Sequence, residues 1–241
     1  MKLDEILLSL FPQGHEVVND DGVLTGSGRL ADNSRILVIG VAGRLPVGVD
    51  QAILLSGRVV EWLERAEADP VLVLLDSDSQ RMSKRDELLG LHEYLAHLAK
   101  CLILAGLRGH HTVALLYGHT AAGAFIATAL AARSLVALPG ADPAVMDLPS
   151  MSRVTKLPLE LLEEKAKSTP VFAPGLENMA QVGAVLSSWD EGISLAAQLQ
   201  QLLSRPKDLG DQRDLLGQSR QGRLKAADIA QRVHALAMAH A

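Results

Sequence analysis

This chain is poor in the two residue types that most often announce redox chemistry or base recognition. It holds a single cysteine among 241 residues, and three Phe, two Tyr and two Trp bring its aromatics to only 3%. A lone thiol closes no internal disulfide and there is no CxxC pair, so a reducing cytoplasm is the expected setting. Cys101 lies in the run "LAKCLILAGL" and reads as a small buried apolar residue. So few rings leave little to stack on bases. The net charge is −5 and Lys and Arg are scattered, which argues against a nucleic-acid partner. No stretch reaches the roughly eighteen apolar residues of a membrane span. The opening "MKLDEILLSLFPQG" sets Asp4 and Glu5 ahead of a short apolar run with no small-residue cleavage site, so no signal peptide is expected.

Familiar catalytic signatures are missing too. There is no GxxxxGK[ST], no GxGxxG between a strand and a helix, and no GxSxG elbow. Gly26-Ser27-Gly28 sits within a strand pair and reads as a bend or bulge. His92 and His97 are separated by about 500° of helical turn, and His110 and His111 point to opposite sides of a strand. No histidine pair has metal-ligand spacing, so no metal is expected.

What the chain does have is an apolar fraction of 48%, supplied by Leu, Val, Ile and Ala, which suits stacked strands and helices. The first 14 residues read as a short amphipathic helix stopped by Pro12 and Gly14. Strands are expected near 22–30 and 35–42, joined by Ala31-Asp32-Asn33-Ser34. A helix follows over 48–68, then the buried strand "PVLVLLD" at 70–76. One long helix is expected over 83–107, capped by Ser83 with Asp86 and Glu87 in its first turn. Next come strand "HTVALLYG", a helix of small residues, and strands "SLVALPG" and "AVMDLP". Beyond residue 150 the pattern is helical and interrupted, through "PLELLEEKAK", "PGLENMAQVGAVLSSWD" and "SLAAQLQQLLS". The polar stretch "RPKDLGDQRDLLGQSRQGR" reads as a linker or surface loop before a last helix with apolar Ile229, Val233, Leu236 and Ala237. The expected organisation is one domain over 1–204, with a polar connection and terminal helix over 205–241.

Two stretches follow buried strands and lead toward helices. The first is Asp76-Ser77-Asp78-Ser79-Gln80-Arg81-Met82 and the second is Gly118-His119-Thr120-Ala121-Ala122-Gly123. Backbone N–H groups left unpaired there would point above the strand ends, where they can bind an oxygen gaining negative charge. Small residues then serve to let a substrate carbonyl approach the backbone. The plainer account is a helix start that is small because it packs tightly on a sheet.

Residues 71–132 resemble the carboxyltransferase branch of the crotonase superfamily, through "VLLDSDSQRMSKRDE" and "YGHTAAGAF". Over most of 1–200 the chain resembles the γ subunits of biotin-independent malonate decarboxylases. The stretches "GRLPVGVDQAILLSGRVVEWLE", "GHTAAGAF" and "AVMDLPSMSRVTKLPLELLEEKA" also carry that likeness. The resemblance implies an α/β, crotonase-like (ClpP/crotonase) spiral of ββα units with a helical C-terminal region. It also implies a β subunit of related fold, with which the chain decarboxylates a malonyl thioester on an acyl carrier protein to acetyl thioester and CO2. The carrier's arm is a phosphoribosyl-dephospho-coenzyme A, recharged by a separate α subunit that exchanges acetyl for malonyl. No cofactor is expected on this chain itself.

Carried onto this sequence, the family's Gly-Gly-Ala turn falls on Ala122-Gly123-Ala124, with alanine in place of the first glycine. The amides of Ala122 and Gly123 become the expected oxyanion donors. The other turn falls on Ser77-Asp78-Ser79, which lacks the Pro and Gly common there, so the Asp78 and Ser79 amides are a second candidate pair. His119 or Thr120 can orient the leaving carboxylate or deliver a proton, or either can simply cap the next helix. Arg81 can meet a carboxylate or stay solvated. Two other functions fit the same residues: a carboxyltransferase subunit of a biotin-dependent acyl-CoA carboxylase, and a structural partner that completes a β-subunit site without touching the transition state.

Overall fold

The computed structural model describes residues 1–65, 67–170, 173–205 and 211–239. In chain order the elements are α1 (Leu3–Leu10), β1 (Val18–Asp20), β2 (Val23–Arg29), β3 (Arg35–Val47), α2 (Val49–Leu63), β4 (Val71–Gln80), α3 (Lys84–Leu88), α4 (Leu91–Leu107), β5 (Thr112–Leu116), β6 (His119–Ala121), α5 (Ala122–Thr128), β7 (Ser134–Ala137) and β8 (Asp142–Ala144). Then follow α6 (Leu148–Thr155), α7 (Leu159–Ser168), α8 (Leu176–Gln181), β9 (Ser187–Ser188), α9 (Leu195–Leu203), α10 (Arg213–Ser219) and α11 (Ala226–Ala239). The chain divides into two compact units, residues 1–145 with 187–209 and residues 146–186 with 210–241.

The first unit is built on a sheet ordered β1-β2-β3-β4-β5-β7-β9, antiparallel from β1 to β3 and parallel from β3 onward. Its central strands read as unbroken apolar runs because both faces are covered: Val71–Leu75 and Val113–Leu116 are fully buried. The β2–β3 hairpin turns where expected. Asp32 Oδ1 accepts from the Ser34 amide and hydroxyl at 3.0 and 2.6 Å, a local bond that competes with continued strand pairing. α4 buries Leu91, Leu95, Leu98, Leu102 and Ala105, a stripe at helical spacing. Cys101 lies on that stripe, and burial raises its thiol's pKa.

Several expectations about single elements are corrected. The helix expected over 83–107 is two, because Gly90 adopts φ +81° and breaks the ladder after α3; Ser83 still caps the first, accepting from Asp86 N at 3.1 Å. The strand at 70–76 runs on to Gln80, so Ser77–Gln80 are not a loop into a helix. "AVMDLP" contributes only Ala144 to a strand. Asp147 instead caps α6, accepting from Ser150 N at 2.7 Å.

In the second unit, part of the stretch expected as a linker is helix α10; residues 206–210 of that stretch lie outside the described residues. Just after it, Arg220 donates to the carbonyls of Ala180, in the last turn of α8, and of Val185 and Leu186 beyond it, at 2.6–2.7 Å, satisfying three acceptors at once. That anchoring depends on residues 34–40 positions away, so no local pattern shows it. On α11 the apolar side chains of Ile229, Val233 and Leu236 are each more than half exposed.

Candidate active site

The site expected from sequence falls wholly within the first unit, where β4, β6, α5 and β8 meet. Its foundation is Asp76. One carboxylate oxygen accepts from Gly43 N at 3.2 Å and the other from His119 N at 3.1 Å, tying the bend of β3 to the turn after β5. Gly118 is packed against that carboxylate, and a Cβ there would stand 2.2 Å from Asp76 Oδ1, so only glycine fits. The next tie is buried: Ser77 Oγ and Thr120 Oγ1 lie 2.8 Å apart with both residues fully inaccessible. Thr120 therefore caps no helix, and α5 begins at Ala122 with Ala121 as an N-cap residue that has no side-chain acceptor to offer.

β6 and β8 form a two-stranded parallel sheet in which His119 is the register partner of Asp142. Side chains directly opposite in a ladder share a face. His119 Nδ1 and Asp142 Oδ2 accordingly lie 3.0 Å apart, while Nε2 is 4.0 Å from Asp78 Oδ1. The imidazole is held between two carboxylates, at 20% exposure. Burial pushes the phenol of nearby Tyr117 well above its ordinary pKa, reinforced by the charge of Asp76, and its hydroxyl is buried with no hydrogen-bond partner among the described residues.

The two expected pairs of amides sit in different surroundings. Between the pairings Leu45–Ser77 and Val47–Gln80, β4 carries one residue more than β3, so Asp78 and Ser79 lie at a bulge. Bulges interrupt a ladder and re-aim its groups. Asp78 is exposed, and the Ser79 hydroxyl donates to Gln80 O at 3.2 Å. At the other turn Ala122 has φ +50°, the left-handed conformation that favours glycine. The Gly123 amide does not face open space: it donates to Gln80 Oε1 at 2.8 Å. No spacing along the chain links Gln80 to a residue 43 positions away, so the sequence assigns it no role. Asp142 was likewise missed, since its pairing with His119 depends on the β6–β8 register.

Arg81 is only partly solvated and is held by partners. Its guanidinium donates to Gln51 Oε1 at 2.6 Å and lies 3.7 Å from the fully buried Asp86 and 3.8 Å from Asp50. Arg85 closes the cluster with paired bonds to Asp50 at 2.8 and 3.0 Å, and that hydrogen bonding holds the Asp50 carboxyl below its ordinary pKa. Among the described residues no three His, Cys, Asp or Glu side chains gather as a metal ligand set, and no helix is long and apolar enough to cross a membrane.

Comparison with known proteins places the chain in a family. The chain is 29% identical over 179 residues to the malonyl-S-ACP:biotin-protein carboxyltransferase of Malonomonas rubra, a match covering 70% of this chain and 60% of that protein's length. Its fold matches a chain of the Pseudomonas malonate decarboxylase hetero-tetramer solved with coenzyme A, at TM-score 0.76, 23% identity and 98% coverage of both chains. It also matches the β subunit of geranyl-CoA carboxylase from P. aeruginosa, at TM-score 0.64 and 16% identity over 87% of this chain and 43% of that one. Residues 42–237 match the family model of the malonate decarboxylase gamma subunit. The fold is thus that of the crotonase-like carboxyltransferases, and the chain belongs to the malonate decarboxylase gamma subunit family.

Proposed function

We propose that this chain is one half of a malonyl-thioester decarboxylase. It acts with a β subunit of related fold on malonyl groups carried by the phosphoribosyl-dephospho-coenzyme A arm of an acyl carrier protein. An α subunit reloads that arm. Membership of the gamma subunit family carries this reading, and the crowded turn at Gly118–Gly123 supplies its chemistry.

In the reaction the bond between the malonyl methylene and its carboxylate breaks. The electron pair enters the thioester, charge collects on the thioester oxygen, and CO2 departs. Donors already aimed at that oxygen lower the barrier, and loss of one costs about 3–4 kcal/mol. The amides of Ala122 and Gly123 are the first candidates and those of Asp78 and Ser79, at the bulge, the second. Fully buried Ala124 and Phe125, with Leu95 beside Gly123, are apolar surroundings that favour loss of a charged carboxylate. The acetyl carbanion then takes a proton, and His119, held between Asp142 and Asp78, is the candidate donor.

The test is CO2 release from malonyl-S-acyl carrier protein by the chain alone and by the chain assembled with its β subunit. Activity confined to the assembly supports a shared site; no activity in a verified assembly refutes the reading. The Malonomonas relative favours a second outcome, in which the same enolate forms but the carboxyl group passes to biotin. Carboxybiotin appearing in place of free CO2 would select that alternative.

A further inference from the structure

We infer that Gln80 is a catalytic residue, donating a hydrogen bond from its side-chain Nε2 to the thioester oxygen, with the Gly123 amide as the group that positions it. This rests on the decarboxylation reading above.

The backbone N–H of Gly123 can only donate, so the Gln80 atom 2.8 Å from it must be the amide oxygen. That single contact sets the orientation of the planar side-chain amide and puts its NH2 group on the far side. The contact found there is poor: Nε2 lies 3.8 Å from Met82 Sδ, a weak acceptor on a side chain that is 78% exposed. Gln80 itself is half-buried and its backbone is held in the β3–β4 ladder opposite Val47. A rigid strand therefore presents two N–H donors, oriented by a backbone amide and engaged by no strong acceptor among the described residues, beside the turn assigned to the enolate. Glutamine side chains are among the groups that form oxyanion holes.

The arrangement also accounts for a mismatch in the simpler scheme, since the Gly123 amide is already occupied. When the methylene–carboxylate bond breaks and its electron pair moves into the thioester, the growing charge on oxygen meets Nε2–H. Polarisation runs through the amide plane to Oε1, which the Gly123 N–H stabilises. No proton needs to be transferred by Gln80 for this to work. The competing account is that Gln80 is a plug whose oxygen occupies the substrate's place at Gly123, and it makes the opposite prediction.

The experiment compares wild type, Gln80→Glu and Gln80→Met in the γβ assembly, reading CO2 release from malonyl-S-acyl carrier protein. Glutamate keeps the shape and the acceptor for Gly123 but has no donor and adds a like charge; methionine keeps the length and has neither group. Both are expected to lose kcat by about 10²–10³-fold with KM nearly unchanged, the signature of an interaction made in the transition state. Size-exclusion of each assembly, with rates normalised to assembled material, removes folding as an explanation. If either assembled variant stays within about threefold of wild type, or becomes faster or lowers KM, Gln80 is not a donor. A wild-type assembly that releases no CO2 overturns both this inference and the reading beneath it, whereas active variants beside an active wild type overturn the inference alone.

Discussion

Replacing Thr120 with Val separates a hydroxyl that holds the site together from one that takes part in the reaction. Thr120 Oγ1 and Ser77 Oγ are 2.8 Å apart, and neither residue is exposed. Valine preserves the shape of threonine, so the substitution leaves no cavity and simply strands the Ser77 hydroxyl without a partner. A buried polar group left unpaired costs about 1–3 kcal/mol. In a chain of this size each kcal/mol moves Tm by about 2–4 °C, so Tm should fall by roughly 2–12 °C. Ser77→Ala should cost a similar amount by stranding Thr120. The double variant removes both hydroxyls, so its cost should approach the net value of one hydrogen bond, about 0.5–1.5 kcal/mol. The sum of the single effects should therefore exceed the double by about 1 kcal/mol or more. Urea midpoints at constant slope measure this cycle, and CO2 release measures kcat for each assembled variant. Strictly additive stabilities, or a hundredfold fall in kcat with an unchanged midpoint, would refute the assignment of this pair to holding β6 against β4.

Four further outcomes are expected. Ala122→Gly relieves a left-handed residue worth about 1–2 kcal/mol of strain against about 0.5–1 kcal/mol of added chain entropy, so Tm should rise slightly and CO2 release should not fall. Gly123→Val places a Cβ 3.0 Å from Gln80 Oε1 and 3.3 Å from Leu95 Cδ1; the assembled variant should lose most activity, and full activity would remove this turn from the site. If His119 delivers the proton, His119→Gln should lower kcat by about 10²-fold or more, and Asp142→Asn should add little on top of it because the two act as one unit. Tyr117→Phe removes a buried, unpartnered hydroxyl and should raise stability by about 1 kcal/mol. Because the folded phenol ionises above its unfolded value, wild-type stability should hold up to about pH 10 and fall as pH rises beyond it. A stability difference between wild type and Tyr117→Phe that stays constant through that window would contradict the assignment.

Much of the first unit was legible in the sequence because its signals are local. Continuous apolar runs at 71–75 and 113–116, short and bounded by turn residues, mark buried strands, and Asp32-Asn33-Ser34 turns the hairpin through bonds within three residues. The small residues at 121–124 likewise marked the turn that abuts β4, and Ser83 marked a helix start. Local composition could not show that β4 continues past Asp76, since Ser77–Gln80 are polar and become strand only through β3 alongside them. Nor could it show the break at Gly90, where the apolar stripe continues in phase enough to suggest one helix.

The chain alone therefore determined which segments are buried and where they turn, because burial and turn chemistry act over a few residues. Only the tertiary structure decided what the site residues touch. Gln80 meets Gly123 and Ser77 meets Thr120 across 43 residues, and His119 meets Asp142 across 23. Those meetings depend on strand register, which a shift of one residue would send to the opposite face, and no spacing along the chain encodes it.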